Sequence, residues 1–182
     1  MNQNEIKELL KKAPLFNYLT EKEINFLASQ VLVKEVAEQK VIFHETDSCN
    51  DLYIIASGTE SGLKWNMDHS QQILIKKFEI GEVFGEMSFL DTSPRSATIQ
   101  ADGKCTLLML KRDPFNSKDP FIINLYSHIQ ANIAYISLPR LRSISSSFVL
   151  SLTKQLQNSE LSNQFGRAFI YMILLFGLGG AI

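Results

Sequence analysis

Apolar positions along the chain change their period twice. In residues 4–12 (NEIKELLKK), Ile6, Leu9 and Leu10 recur at helical spacing and share one face. Pro14 stops that helix. Thr20-Glu21-Lys22-Glu23 has the form of a capping box, which predicts a second helix carrying Ile24, Phe26 and Leu27. After Gln30 the period shortens. Runs rich in β-branched and aromatic residues follow at Val31–Val36, Val41–Phe43, Leu52–Ala56, Gly62–Trp65, Ile73–Phe78, Thr98–Ala101 and Thr106–Leu110. Turn clusters separate them: Thr46-Asp47-Ser48, Ser57-Gly58, Asn66-Met67-Asp68 and Asp102-Gly103. Many short strands at such spacing predict an antiparallel sandwich or barrel.

Beyond Lys111 helical spacing returns. Ile122, Tyr126, Ile129, Ile133 and Ile136 form an apolar seam that is expected to end at Pro139, and Leu141, Ile144, Phe148, Leu152 and Leu156 form a second. The polar segment Gln157–Gln164 reads as a linker. From Ala168 to Ile182 (AFIYMILLFGLGGAI) no charged residue occurs, a run of 15 residues. A helix needs about 17–25 residues to cross a bilayer. The run therefore reads either as a buried helix or dimer contact, or, if the chain continues past Ile182, as the first transmembrane helix. Arg140, Arg142, Lys154 and Arg167 precede it, which puts its N-terminal side in the cytoplasm by the positive-inside rule.

Composition narrows the function classes. With 182 residues there is room for one compact domain and an appendage. Cys49 and Cys105 form neither a CxxC motif nor a dense framework, which fits two reduced thiols in a cytosolic domain. The net charge of −1 supplies no field toward nucleic acid. His44, His69 and His128 lie far apart, so no metal site and no phosphodiesterase-like His and Asp cluster is expected. No nucleophile–base pair with recognisable spacing appears, and no catalytic residue is assigned. Met1-Asn2-Gln3-Asn4-Glu5 lacks the basic and apolar parts of a signal peptide.

The chemistry concentrates in Ile80–Ile99 (IGEVFGEMSFLDTSPRSATI). Phe84 ends a strand, and Gly85 leaves the backbone open to close approach. Glu86 to Leu90 is long enough for one short helix, whose unpaired N–H groups make an anion site. Asp91-Thr92-Ser93-Pro94 is a turn that returns Arg95 toward the same place, where a guanidinium can grip a phosphate through two parallel hydrogen bonds. Glu86 is an acceptor for sugar hydroxyls, and Ala97 is small enough to leave its N–H reachable. Singly, each residue has a plainer explanation: a Glu at a helix start suits the macrodipole, and a loop Arg is usually solvated. Their joint spacing carries the weight.

That stretch resembles the phosphate-binding cassette of cyclic nucleotide-binding domains, found in catabolite activator proteins, cyclic-nucleotide-dependent kinases and cyclic-nucleotide-gated channels. The matching residues are Gly81, Phe84-Gly85-Glu86, Leu90, Pro94, Arg95 and Ala97, with support from Pro14-Leu15-Phe16 and from Leu52-Tyr53-Ile54-Ile55 running into Ser57-Gly58. The resemblance implies a non-enzymatic α+β module. N-terminal helices (1–30) would precede an antiparallel, jelly-roll-like β-roll (31–111), followed by lid or dimer helices (112–158), a linker (159–167) and the apolar tail (168–182). The implied ligand site is Phe84, Gly85, Glu86, Met87, Arg95, Ser96 and Ala97. The N–H groups of Gly85 and Ala97 and the Arg95 side chain would hold the cyclic phosphate. Glu86 would accept from the ribose 2′-hydroxyl, and Ser96 would lie beside phosphate and purine.

Two departures from the family stand out. The loop between the second and third strands, Glu45-Thr46-Asp47-Ser48-Cys49-Asn50-Asp51, lacks the usual glycines; it is remote from the cassette in sequence and is expected to leave ligand binding untouched. Ser96 is intermediate between the threonine that leans to cyclic GMP and the alanine that leans to cyclic AMP, and cyclic AMP is the expected ligand. No other cofactor is implied. Tyr126, Tyr135 and Phe121 are equal candidates to cap the base. The expected output is a membrane effector reached through the C-terminal helices, with a homodimer through residues 119–156 as a further expectation and the protein held at the cytoplasmic face by residues 168–182. The alternatives are a transcription regulator of the catabolite-activator class, for which no helix-turn-helix is visible, and a degenerate domain kept for assembly.

Overall fold

The computed structural model describes residues 1–158, which divide into two compact units, Met1–Ala134 and Tyr135 onward. The linker at 159–167 and the apolar run at 168–182 lie outside the described residues. Among the described residues, no helix is long and apolar enough to cross a membrane.

Both N-terminal helices start with reciprocal caps. α1 (Gln3–Lys12) is capped by Asn2, whose Oδ1 accepts from the Glu5 N–H at 3.0 Å while Glu5 accepts from the Asn2 N–H at 2.9 Å. In α2 (Glu21–Gln30), Glu23 accepts from the Thr20 N–H at 2.7 Å and the Thr20 hydroxyl accepts from the Glu23 N–H at 3.3 Å. Each box satisfies donors that a helix start otherwise leaves open. Ile6, Leu10, Ile24 and Leu27 turn inward, and a 3₁₀ turn at Pro14–Phe16 joins the two helices.

The strands form two four-stranded antiparallel sheets. The first sheet orders β1 (Val31–Val36), β8 (Cys105–Leu110), β3 (Leu52–Ser57) and β6 (Val83–Phe84); the second orders β2 (Val41–Phe43), β7 (Thr98–Ala101), β4 (Glu60–Trp65) and β5 (Gln72–Phe78). Phe43, Tyr53, Ile55, Phe84, Ile99, Ala101, Leu107 and Met109 fill the space between them. This is the antiparallel sandwich expected from the short alternating runs. Two features differ from that expectation. β4 begins at Glu60 rather than Gly62 because Glu60 pairs with Ala101 on one side and Phe78 on the other. α4 (Pro120–Asn158) is one helix of 39 residues, so Pro139 does not end it. Proline removes one backbone hydrogen bond and crowds the preceding turn, a local cost that the remaining backbone bonds of a long helix can outweigh.

The first turns of α4 pack on the N-terminal helices. Ile122, Leu125, Ile129 and Ile133 are buried. His128 Nδ1 lies 2.9 Å from Glu23 Oε1, and Asn132 Nδ2 donates to the carbonyls of Leu15 and Asn17, each at 2.9 Å.

A carboxyl side chain is buried inside the roll. Glu60 is 0 % exposed, and among the described residues neither carboxyl oxygen has a partner in hydrogen-bonding geometry. Its register neighbours Ala101 and Phe78 are apolar. The nearby titratable groups are the Cys105 thiol on β8 and Asp102 after β7; Asp102 is itself held by the Ser61 hydroxyl at 2.6 Å and by Lys77 Nζ at 3.4 Å. Burial pushes Glu60 from the ordinary 4.5 to about 7, eased by the thiol and reinforced by the Asp102 charge. Burial, with Glu60 beside it, pushes Cys105 up to about 12.

Because the folded state holds the Glu60 proton more tightly than the unfolded chain does, its stabilising effect is complete below pH 4.5 and is lost as pH rises through about 7. Glu60→Gln removes that titration. Its stability relative to wild type is expected to rise by about 2 kcal/mol between roughly pH 5 and pH 8, read by urea unfolding. A gap that stays constant across that range would show that Glu60 does not hold its proton in the folded state.

Candidate functional site

The segment after β6 is anchored before it becomes polar. The Phe84 ring is 1 % exposed and stacks on Tyr53 at 5.2 Å between centroids, with Phe43 and Phe78 against its other sides. Gly85 follows at φ +79° and caps α3 (Glu86–Asp91). A Cβ at Gly85 would lie 2.5 Å from Arg95 Nη1 and 3.0 Å from the Asp51 carbonyl oxygen, so both the conformation and the space require glycine. At the other end of α3, Thr92 takes φ +61° and donates its N–H to the Ser88 carbonyl at 3.0 Å. The chain then turns through Ser93, whose N–H is accepted by Asp91 Oδ1 at 2.9 Å, and returns to Arg95.

Arg95 is 2 % exposed. Nη1 donates to the Gly85 carbonyl at 2.9 Å, Nη2 to the Asp51 carbonyl at 2.6 Å, and Nε to Cys49 Sγ at 3.1 Å. The guanidinium also lies over the Phe43 ring, 4.1 Å from its centroid. Its backbone is held as firmly: the Arg95 N–H donates to the Asp47 carbonyl at 2.9 Å, and the Arg95 carbonyl accepts from the Thr46 N–H at 2.8 Å. Carbonyl dipoles and a π face thus replace water around a cation. The side-chain partners of Arg95 named here are neutral: two carbonyls and a thiol sulfur.

The 45–51 loop, remote from the cassette in sequence, lies against it in the fold: Thr46, Asp47, Cys49 and Asp51 are among the partners of Arg95. The reason lies in the sheet. β2 pairs with β7, placing Phe43 opposite Ile99, so the loop leaving β2 runs beside the segment that leads into β7.

The other expected site residues divide. Glu86 is half-buried at the first position of α3, and Met87 is 57 % exposed beside it. Ser96 is exposed, and its carbonyl accepts from Lys64 Nζ at 3.2 Å, with Glu45 Oε1 3.6 Å from the same ammonium. Ala97 is buried where the chain enters β7. Gly85, Glu86, Arg95, Ser96 and Ala97 therefore bracket one short helix, while Phe84 belongs to the core beneath it.

β5 adds exposed apolar side chains to the second sheet. A Cβ on Gly62 would meet Phe78 at 3.0 Å and Ile75 at 3.6 Å, and Gly62 stands opposite the core residue Ile99. Ile75 therefore points to the inner face of the roll, yet it is 55 % exposed. Ile73, two residues away on the same face, is 50 % exposed and opposite Lys64. The glycine within the strand was the available signal, since it marks a bulge or a close approach.

A buried guanidinium held by neutral acceptors beside a left-handed glycine at a helix start suits an anionic ligand. Comparison with known proteins agrees: residues 33–118 match the family model of the cyclic nucleotide-binding domain. The chain carries a cyclic nucleotide-binding domain. The cyclic AMP receptor protein of Thermus thermophilus is 30% identical over 133 residues, which is 73% of this chain and 59% of that protein. The crystal structure of the Thermus thermophilus catabolite activator protein matches with a TM-score of 0.69 at 28% identity, over 80% of this chain and 66% of that one. The co-crystal structure of the regulatory domain of Toxoplasma gondii PKA with cAMP matches with a TM-score of 0.59 at 30% identity, over 63% of this chain and 43% of that one. The chain thus spans less than two thirds of each of these relatives. Cyclic nucleotide-binding domains of this family are ligand-binding regulatory modules rather than catalysts.

Within the cyclic nucleotide-binding domain, Gly85→Ala is expected to lower the unfolding free energy by at least about 1–2 kcal/mol, the cost of a left-handed alanine, and to push Arg95 off its carbonyls. Urea unfolding checks it. An unchanged midpoint would mean that the turn can be made without glycine.

Proposed function

We propose that this domain binds a cyclic mononucleotide, cyclic AMP in preference to cyclic GMP, and passes the binding event through α4 to an attached effector. The observation that carries the reading is Arg95: a guanidinium 2 % exposed, held by neutral acceptors, beside the left-handed N-cap of α3. In this reading the cyclic phosphate takes Arg95 and the N–H groups of Gly85 and Ala97. Glu86 accepts from the ribose 2′-hydroxyl. Ser96 lies beside phosphate and purine, Met87 flanks the site from α3, and Ile73 and Ile75 back the base. The preference for cyclic AMP rests on Ser96 in place of threonine and on the naming of cyclic AMP for two of the relatives above.

Transmission is a population shift: the nucleotide binds one arrangement of α4 better than another, and the difference in affinity sets the response. Ile123, Tyr135, Leu138 and Leu150 expose apolar side chains along α4, which supports pairing of two copies through residues 119–156. The apolar run at 168–182 supports a membrane effector with the domain at the cytoplasmic face.

Isothermal titration of the full chain with cyclic AMP and with cyclic GMP tests the reading. Saturable binding is expected, tighter for cyclic AMP. Arg95→Ala should cost at least about tenfold in affinity, because a charge-assisted hydrogen bond contributes about 1.5–3 kcal/mol. Arg95→Lys, which keeps the charge but not the fork, should lose part of that. Neither heat nor thermal shift with either nucleotide would sink the sensor reading and leave an assembly module. Equal binding by Arg95→Ala would remove Arg95 from the phosphate site.

A further inference from the structure

A six-residue helix cannot satisfy its own ends, and α3 is held from outside at both. Its N-cap carbonyl, on Gly85, accepts from Arg95. Its last carbonyls, on Phe89 and Leu90, meet Arg112 and Tyr126. Arg112 Nε donates to the Phe89 carbonyl at 2.9 Å. The Tyr126 hydroxyl lies 3.3 Å from that carbonyl and 3.2 Å from the carbonyl of Leu90. These donors meet the negative end of the helix, where orphan carbonyls accumulate.

The two residues also hold each other. The Arg112 guanidinium sits over the Tyr126 ring, 4.2 Å from its centroid, while its Nη1 donates to Asn116 Oδ1 at 2.9 Å. Phe89, Phe115 and Tyr126 close a ring cluster with centroid distances of 5.4, 6.0 and 5.8 Å. Phe89, on α3, is 0 % exposed. Arg112 comes from the segment that follows β8, and Tyr126 from the second turn of α4. With its hydroxyl engaged on α3, Tyr126 is committed to the cassette helix and not available as a cap over a base.

We infer that Arg112 and Tyr126 are positioning residues, a polar clasp on the C-terminal carbonyls of α3 that links the Gly85–Arg95 site to the first turns of α4. The inference rests on the nucleotide reading of that site. α3 is a rod of about 9 Å. A shift of Gly85 and Arg95 around a phosphate therefore reappears at Phe89 and Leu90, where Arg112 and, from α4, Tyr126 hold the carbonyls. The aromatic contacts alone are non-directional and tolerate sliding, whereas hydrogen bonds to two successive carbonyls specify one rotation and one depth.

The test separates binding from transmission. Hydrogen exchange of peptides within residues 120–134 is followed in the full chain with and without saturating cyclic AMP, alongside isothermal titration. Tyr126→Phe keeps the ring cluster and removes only the hydroxyl; Arg112→Gln removes the guanidinium. Both variants are expected to bind within about threefold of wild type, since neither touches the phosphate site, while the nucleotide-dependent change in α4 exchange falls by about half or more. A full wild-type response in Tyr126→Phe and Arg112→Gln would overturn the clasp while leaving the nucleotide reading standing. Loss of affinity in parallel with loss of response would overturn it too, by showing that the pair supports the site itself. Absence of binding by the wild type would overturn the nucleotide reading and the coupling with it.

Discussion

A guanidinium can be taken out of water only where other acceptors replace the water it leaves, and most of this site follows from that demand at Arg95. Its acceptors are backbone carbonyls of Gly85 and Asp51 and the sulfur of Cys49. They bind one side chain to the start of α3 and to the loop that follows β2. The Phe43 ring supplies the remaining face. Gly85 must be glycine because the guanidinium occupies the space a Cβ would fill, and Phe84 must be large because its ring closes the core under the same turn. Three of its donors are met by these neutral acceptors. In the nucleotide reading, burial would strengthen its attraction for a phosphate relative to that in water.

Glu60 is the counter-case inside the same roll. β4 pairs with β7 from Glu60, opposite Ala101, to Leu63, opposite Thr98, so the pairing has a buried carboxyl at one end and the start of β7, next to the cassette, at the other. Arg95 is surrounded by acceptors; Glu60 has apolar register partners and a thiol. The protein meets the two problems differently. A cation that cannot lose its proton is given carbonyls, and a carboxyl that can gain one is left to be neutralised.

The aromatic and polar contacts of α3 show how a small element can serve two masters. Its N-terminus is held by Arg95 and its C-terminus by Arg112 and Tyr126, and six residues separate the two. Such a helix has little cohesion of its own, because its intrahelical hydrogen bonds are few. Its position is therefore set by neighbours. That makes it suited to carrying a displacement rather than absorbing one, in a family of regulatory ligand-binding modules whose task is to report occupancy.

The chain's own pattern determined the elements and the motif. Reciprocal caps at Thr20 and Glu23, the strands at Val31–Val36, Val41–Phe43 and Thr98–Ala101, and the short helix after Gly85 are products of local chemistry, which neighbours in sequence suffice to express. The cassette residues could be named for the same reason, since they lie within fourteen positions of one another, from Phe84 to Ala97. What only the tertiary structure decided are the contacts made by pairing across the chain. β2 against β7 brought Cys49 and Asp51 to Arg95, β4 against β5 turned Ile73 and Ile75 inward, and β4 against β7 buried Glu60. Tyr126, one candidate among three for covering a base, acquired its role from a helix 36 residues earlier. Sequence spacing records which groups can meet along one element, whereas register and packing decide which groups from different elements do meet.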